Sequence, residues 1–242
     1  MPDIKTVILA GGKGTRLAPY TTVLPKPLMP VGDMPILEIV VRQLRHYGFR
    51  DLTISVGHLA ELLMAFFGDG SKWGVRIEYV IEDQPLGTIG PTRLIRNLTD
   101  PFMVMNGDLL TDIDYTQLYD YHRAGGQTAT VATATRQVQV SLGVLDVDAD
   151  RRLVGFREKP TSSFQVSMGI YMFRPSILKY VPEGVNYGFD KLMLDMLAAS
   201  DPVRSFPFDG LWLDIGRHED YALATDEFER HRARLLPGEA GQ

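Results

Sequence analysis

Apolar positions along this 242-residue chain fall either into short unbroken runs or into helical stripes. Residues 6–9 (Thr-Val-Ile-Leu) form such a run and read as a buried strand. Ile36, Ile39, Val40 and Leu44 recur at three- and four-residue spacing. That stripe predicts a helix over 35–47, capped by Asp33, with Pro35 in its first turn and Gly48 at its end. Residues 52–56 and 75–81 read as strands, 59–67 and 91–98 as helices, and 102–105 as another short strand. Alternation of this kind predicts an α/β fold, a mixed but mainly parallel sheet flanked by helices.

The second half changes character. Residues 128–134 and 166–173 read as strands, and 142–147 with 152–156 as a hairpin around Asp148-Ala149-Asp150. Helices are expected over 189–199 and 218–234. No repeat, low-complexity tract or linker divides the chain, so one domain is expected over 1–236, with a frayed tail at 237–242.

Composition narrows the class of function. A hydrophobic fraction of 45% suits a chain that buries a core. The absence of cysteine removes disulfides, thiolate catalysis and zinc–thiolate sites. No apolar run is long enough to span a bilayer, and Met1-Pro2-Asp3-Ile4-Lys5 lacks a basic-then-apolar signal layout. The expectation is a soluble, cytoplasmic protein with no membrane partner. A net charge of −5 argues against general nucleic-acid binding, which needs a basic face. It leaves phosphorylated small molecules open, because local cations suffice for them.

Such cations follow the first strand. The chain continues Leu9-Ala10-Gly11-Gly12-Lys13-Gly14-Thr15-Arg16-Leu17 and then reaches Pro25-Lys26-Pro27-Leu28. Glycines let the backbone bend and approach a ligand closely. Their N–H groups, turned outward, form an anion-binding nest. With Lys13, Arg16 and Lys26 close by, the loop has what a triphosphate needs. It is not a P-loop, because Lys13 precedes Gly14 and Thr15-Arg16 follow. It is not the dinucleotide fingerprint either, because Leu17 stands where the third glycine belongs.

The pattern resembles the sugar-1-phosphate nucleotidylyltransferases, whose signature runs Leu-Ala-Gly-Gly-x-Gly-Thr-Arg-Leu and then Pro-Lys-Pro-Leu. More family-like segments follow in order: Gly57-His58, Pro85-Leu86-Gly87-Thr88, Asn106-Gly107-Asp108, Glu158-Lys159-Pro160, Met168-Gly169-Ile170-Tyr171 and Trp212-Leu213-Asp214-Ile215-Gly216. The resemblance spans about residue 4 to residue 230. It implies a Rossmann-like nucleotidyltransferase domain, with a nucleotide-binding first half and a sugar-phosphate-binding second half. Longer members append a left-handed β-helix, which is not expected here.

The reaction so implied is attack by a sugar-1-phosphate oxygen on the α-phosphorus of an NTP, releasing pyrophosphate. Both reactants are anions, so positioning and electrostatics should dominate. Arg16 has a planar fork that can bridge phosphate oxygens, and Lys26 lies on a proline-stiffened segment; these two are the candidate catalytic cations. Leu9, Ala10, Gly11, Gly12, Lys13, Gly14, Thr15, Glu82, Gly87 and Thr88 are the candidate nucleotide contacts. Asn106, Gly143, Glu158, Lys159 and Gly169 are the candidate sugar-phosphate contacts. By the resemblance, Asp108 and Asp214 hold Mg2+, which prefers carboxylate and phosphate oxygens. His58, after a strand, is a candidate to line the cleft. The resemblance also implies a homo-oligomer, with Phe66, Phe67 and Trp73 as either interface or core residues.

Base and sugar are less determined. Thymidine- and uridine-specific relatives often carry Gln where this chain has Glu82. Guanine presents two adjacent donors, N1–H and N2–H2, which a carboxylate accepts in a bidentate way. GTP is therefore favoured, with mannose- or heptose-1-phosphate. UTP, dTTP or CTP with glucose-1-phosphate stays open. So does a catalytically silent, sugar-nucleotide-binding regulatory subunit, although Arg16, Lys26, Asp108 and Asp214 are all present. A glycosyltransferase of similar fold is disfavoured by the complete loop and its Pro-Lys-Pro.

Overall fold

The apolar run after Ile4 becomes the central strand β1 (Lys5–Ala10), in which no side chain is exposed. The structure is a computed structural model that describes residues 4–216 and 218–238. After β1 and the glycine loop come a small hairpin, β2 (Pro30–Val31) and β3 (Met34–Pro35), and the helix α1 (Ile36–His46). Next are β4 (Asp51–Val56), α2 (Ala60–Phe67), β5 (Arg76–Ile81), β6 (Phe102–Asn106) and β7 (Leu109–Thr111). The second half holds α3 (Tyr115–Gly125), β8 (Ala129–Gln139), β9 (Val144–Val147), β10 (Leu153–Arg157) and β11 (Thr161–Phe173). It closes with α4 (Phe189–Ala198), β12 (Val203–Phe208), β13 (Trp212–Asp214) and α5 (His218–Leu235).

Seven strands make the main sheet, in the order β12-β8-β11-β6-β1-β4-β5. All run the same way except β11, which is antiparallel to both neighbours. This is the mixed, mainly parallel sheet that the alternation predicts. Successive residues of β1 feed opposite faces. Ile8 joins the core under α1, α2 and α3, with Val40, Leu44, Leu63, Phe67 and Leu118. Val7 joins the core under α4, with Val104, Tyr171, Phe173, Leu192 and Met196. A third cluster packs Phe228 and Leu235 of α5 against Leu17, Val31, Ile36, Ile39 and Ile215. The carboxyl ends of β1, β4, β5 and β6 are thereby fixed side by side along one edge, where open α/β sheets bind ligands.

Several expectations need correction. Asp33 does not cap α1; it forms a two-bond pair with Arg232 of α5, at 2.8 and 3.0 Å. Residues 91–98 do not form an α-helix. A short 3-10 turn covers Gly90–Leu94, and Ile95 is already extended. Pro91 has no N–H, the Gly90 N–H is given to the Tyr187 carbonyl at 3.1 Å, and Arg93 Nε is drawn out to the Val181 carbonyl at 2.9 Å. The pattern also misses α3, the edge strand β12 and the short β7–β13 pair. Strands β8 and β11 run well past their apolar halves, pairing Thr135–Gln139 with Thr161–Gln165 as an exposed ribbon. Phe67 and Trp73 are core residues, while Phe66 is partly exposed and stacks on Trp73. Of the expected frayed tail, residues 239–242 lie outside the described residues. Leu235 and Leu236 just before it are buried, and a methyl on Gly238 would lie 3.0 Å from His46 Nδ1. Among the described residues no helix is long and apolar enough to cross a membrane.

Candidate active site

Gly11 follows β1 and Gly57 follows β4, and the two backbones lie against each other. A methyl on Gly57 would stand 2.9 Å from the Gly11 carbonyl oxygen, and one on Gly11 only 2.7 Å from Glu82 Oε1. No side chain fits between these two residues, so the Glu82 carboxylate rests directly over Gly11. Ser55 donates to Glu82 Oε1 at 2.7 Å, and the Leu86 N–H donates to Oε2 at 3.0 Å.

Gly14 makes the second close approach. Its φ is +61°, and a methyl there would meet Thr21 Cγ2 at 2.9 Å and Lys26 Cβ at 3.2 Å. Thr21 Oγ1 donates to the Gly14 carbonyl at 2.8 Å. The left-handed turn thus lets the segment carrying Lys26 pack onto the loop. Thr15-Arg16-Leu17 forms one 3-10 turn, anchored by buried Leu17 and leaving Arg16 at the surface. Lys13 and Thr15 are exposed as well.

Lys26 is largely buried and forms an ion pair with Asp108; its ammonium also lies 3.8 Å from Asp214 Oδ1. The two aspartates meet because β13 pairs with β7, setting Asp214 opposite Leu109, and because the Ile215 N–H donates to the Asp108 carbonyl at 3.2 Å. Burial pushes the Asp108 carboxyl above its ordinary pKa; Lys26 opposes the shift and Asp214 adds to it. Arg16 reaches the same spot. A methyl on Gly216 would be 3.2 Å from both Arg16 Nη2 and Asp214 Oδ1. Asp108 and Asp214, both facing the Lys26 ammonium, offer the carboxylate oxygens that Mg2+ prefers and would be the residues to hold it. Among the described residues no third acidic or imidazole ligand joins them.

A cavity of about 330 Å3 opens beside Asp108, lined by Leu9, Gly11, Gly12, Glu82, Pro85, Gly87, Thr88, Asn106, Asp108 and Asn186. It unites most of the residues picked as nucleotide contacts with Asn106. Ala10 is buried behind it. The Thr88 hydroxyl is already engaged, accepting from the Phe189 N–H at 2.7 Å. Gly87 has φ +76°, and a methyl there would press on the Tyr187 carbonyl at 2.8 Å. Asn186 donates to the Pro85 carbonyl at 3.0 Å. The 82–88 loop is thus braced from across the chain. Sequence reasoning did not single out Asn186 or Ser55. Asn186 has no local signature, but a lone Ser in an apolar strand followed by a glycine is a usable signal.

The sugar-phosphate candidates split into two groups. Gly169, at φ +76°, sits where the β8–β11 register shifts, and a methyl there would meet Asn106 Nδ2 at 2.6 Å. Asn106 and Gly169 therefore adjoin the cavity. Gly143, Glu158 and Lys159 lie out on the ribbon and hairpin, where a methyl on Gly143 would be 3.4 Å from Glu158 Oε2. All three are exposed. Lys159 has φ +43°, a left-handed conformation that a side-chain-bearing residue adopts only when its surroundings hold it. His58 lies by the glycine loop, its Nε2 3.4 Å from the Thr21 carbonyl.

Residues 5–231 match the Nucleotidyl transferase family. The chain belongs to that family. A UTP–glucose-1-phosphate uridylyltransferase from Synechocystis is 34% identical over 90% of this chain and 61% of its own. A mannose-1-phosphate guanylyltransferase from Mycobacterium tuberculosis is 31% identical over 94% of this chain and 65% of its own. The chain thus spans somewhat under two thirds of the length of these relatives. The crystal structure of HddC from Yersinia pseudotuberculosis superposes with a TM-score of 0.72 at 25% identity, covering 93% of this chain and 99% of that one.

Proposed function

We propose that this nucleotidyl transferase moves a nucleoside monophosphate from an NTP to a sugar-1-phosphate, giving a nucleoside-diphosphate sugar and pyrophosphate. GTP is the favoured donor, with mannose- or heptose-1-phosphate as acceptor. The observation that carries this reading is the grouping of Lys26 and Arg16 with Asp108 and Asp214 beside a glycine-floored cavity.

In the reaction a sugar-1-phosphate oxygen forms a bond to the α-phosphorus, and the bond from that phosphorus to the bridging oxygen breaks. Pyrophosphate leaves with the electron pair. No general base is required, because the attacking oxygen is ionised at neutral pH. Arg16 and Lys26 offset the charge gathering on the α-phosphoryl and pyrophosphate oxygens. Mg2+ held by Asp108 and Asp214 would supply further positive charge to those oxygens. Glu82 takes the base. Asn106 and Gly169 border the reacting sugar phosphate, Lys159 pairs with its phosphate, and Glu158 accepts from sugar hydroxyls beside Gly143. The first half of the chain thus holds the nucleotide and the second half the sugar phosphate. A homo-oligomer is part of the reading, and light scattering tests it.

The Synechocystis relative favours a second reading, the same chemistry with UTP and glucose-1-phosphate; dTTP or CTP in place of UTP are further outcomes of the same test. The test is pyrophosphate release with Mg2+, crossing the NTPs against mannose-, heptose- and glucose-1-phosphate. Turnover with GTP alone is expected. Turnover with another NTP keeps the chemistry and replaces the base. No turnover with any pair, together with tight nucleotide-sugar binding, assigns a silent regulatory subunit instead.

A further inference from the structure

Ser55 is fully buried in β4, with Leu9 of β1 and Val80 of β5 as its register partners. A hydroxyl among apolar neighbours is unfavourable unless it is hydrogen-bonded. Its partner is the Glu82 carboxylate. Glu82 leaves the sheet just past β5, while its own N–H still donates to the Val56 carbonyl at 2.9 Å. The backbone of Glu82 is thus fixed by the sheet, and its side chain is held by two donors, Ser55 on Oε1 and the Leu86 N–H on Oε2. Each carboxylate oxygen has two lone-pair positions. One on each oxygen is taken by the protein, which leaves one on each for a ligand in the cavity that Glu82 lines.

Building on the proposed role of Glu82 as base reader, we propose that Ser55 is the positioning residue that sets base discrimination. By holding Oε1 from behind, it fixes the plane of the carboxylate and the direction of the remaining lone pairs. Two parallel acceptors then face the cavity, matched to the paired N1–H and N2–H2 donors of guanine. Without the Ser55 hydroxyl the carboxylate keeps only the Leu86 bond and can rotate about its last torsion. It then satisfies one base donor well and the second poorly.

The test is equilibrium binding of GTP, ITP and UTP by calorimetry to the wild-type chain, Ser55→Ala and Ser55→Thr. ITP lacks the 2-amino group and so isolates the second donor. The wild type is expected to favour GTP over ITP by about tenfold, the effect of one hydrogen bond to a charged group. Ser55→Ala should bring that ratio close to one. Ser55→Thr keeps the hydroxyl on a strand-compatible side chain and should restore it. Unchanged ratios in Ser55→Ala overturn the proposal, as does an equal loss for all three nucleotides or a failure of Thr to rescue. If Ser55→Ala does not fold, Ser55→Cys, with its weak donor, should give an intermediate ratio; a wild-type ratio refutes the proposal. If the wild type prefers UTP, the guanine reading fails separately. Ser55→Ala must then narrow the UTP-over-GTP preference, and a preference left intact overturns the role of Ser55. A chain that binds no nucleotide refutes both.

Discussion

The Lys26 ammonium pairs with Asp108 and lies 3.8 Å from Asp214 Oδ1, so one lysine offsets the repulsion between two carboxylates. Removing it leaves those carboxylates facing each other, with the Arg16 guanidinium close by. Lys26→Met is expected to lower turnover by roughly 10²–10³-fold, comparable to the loss of an oxyanion donor. It should also make the fold more dependent on divalent cations. Thermal unfolding with and without Mg2+ checks this: Mg2+ should raise the Tm of the variant more than that of the wild type.

Arg16 is exposed on its 3-10 turn and has no ion pair among the described residues. Arg16→Ala should therefore leave Tm within about 1 °C, since such surface changes shift stability by about 0.5 kcal/mol or less. Pyrophosphate release should fall by about 10²–10³-fold. A large drop in Tm would show instead that Arg16 holds the loop together.

Gly169 allows no side chain, both because its φ is +76° and because Asn106 fills the space a methyl needs. Gly169→Ala is expected to cost about 1–2 kcal/mol from the left-handed backbone alone. It should also displace Asn106. In steady-state kinetics the KM for sugar-1-phosphate should then rise more than the KM for NTP.

His122 on α3 is fully buried, with Nδ1 2.8 Å from Thr130 Oγ1 and Nε2 without a hydrogen-bond partner among the described residues. Burial pushes its pKa down from 6.5 to about 4, Arg174 adding to the shift and Asp100 opposing it. The unfolded chain takes up this proton as pH falls through about 6.5, whereas the folded chain waits until about 4. The stability from neutral His122 is therefore fully present above 6.5 and is lost between 6.5 and 4, by up to about 3 kcal/mol. Urea unfolding at pH 7.5 and 5 should show this slope, and His122→Gln should flatten it.

Patterns that are local in sequence were the legible ones. The run at β1 and the stripe of Ile36, Ile39, Val40 and Leu44 predict the central strand and its covering helix, and both form. The glycine loop was legible because its spacing is itself the message. Helix α3 was overlooked although Asp114 caps it, accepting from the Thr116 and Gln117 N–H groups, and Tyr115, Leu118, Tyr119 and His122 line its buried face. Aromatic residues and a histidine masked that apolar stripe. The ribbon of β8 and β11 was overlooked because its outer half is exposed on both faces and so has no period to read. The meeting of Asp108 with Asp214 was not legible from periodicity at all. It depends on two three-residue strands about a hundred positions apart, too short for any pattern.

That pairing has a consequence for how the protein comes into being. Strands β1, β4, β5 and β6 are all present by residue 106, yet β13 begins only at Trp212. Contacts between such distant segments form late, because a long loop must close first. During synthesis, the glycine loop, Glu82 and Asp108 leave the ribosome well before Asp214 does. A nascent chain can thus organise its glycine loop before its two aspartates meet; on the proposed function, competence arrives only when Trp212, Leu213 and Asp214 dock on β7.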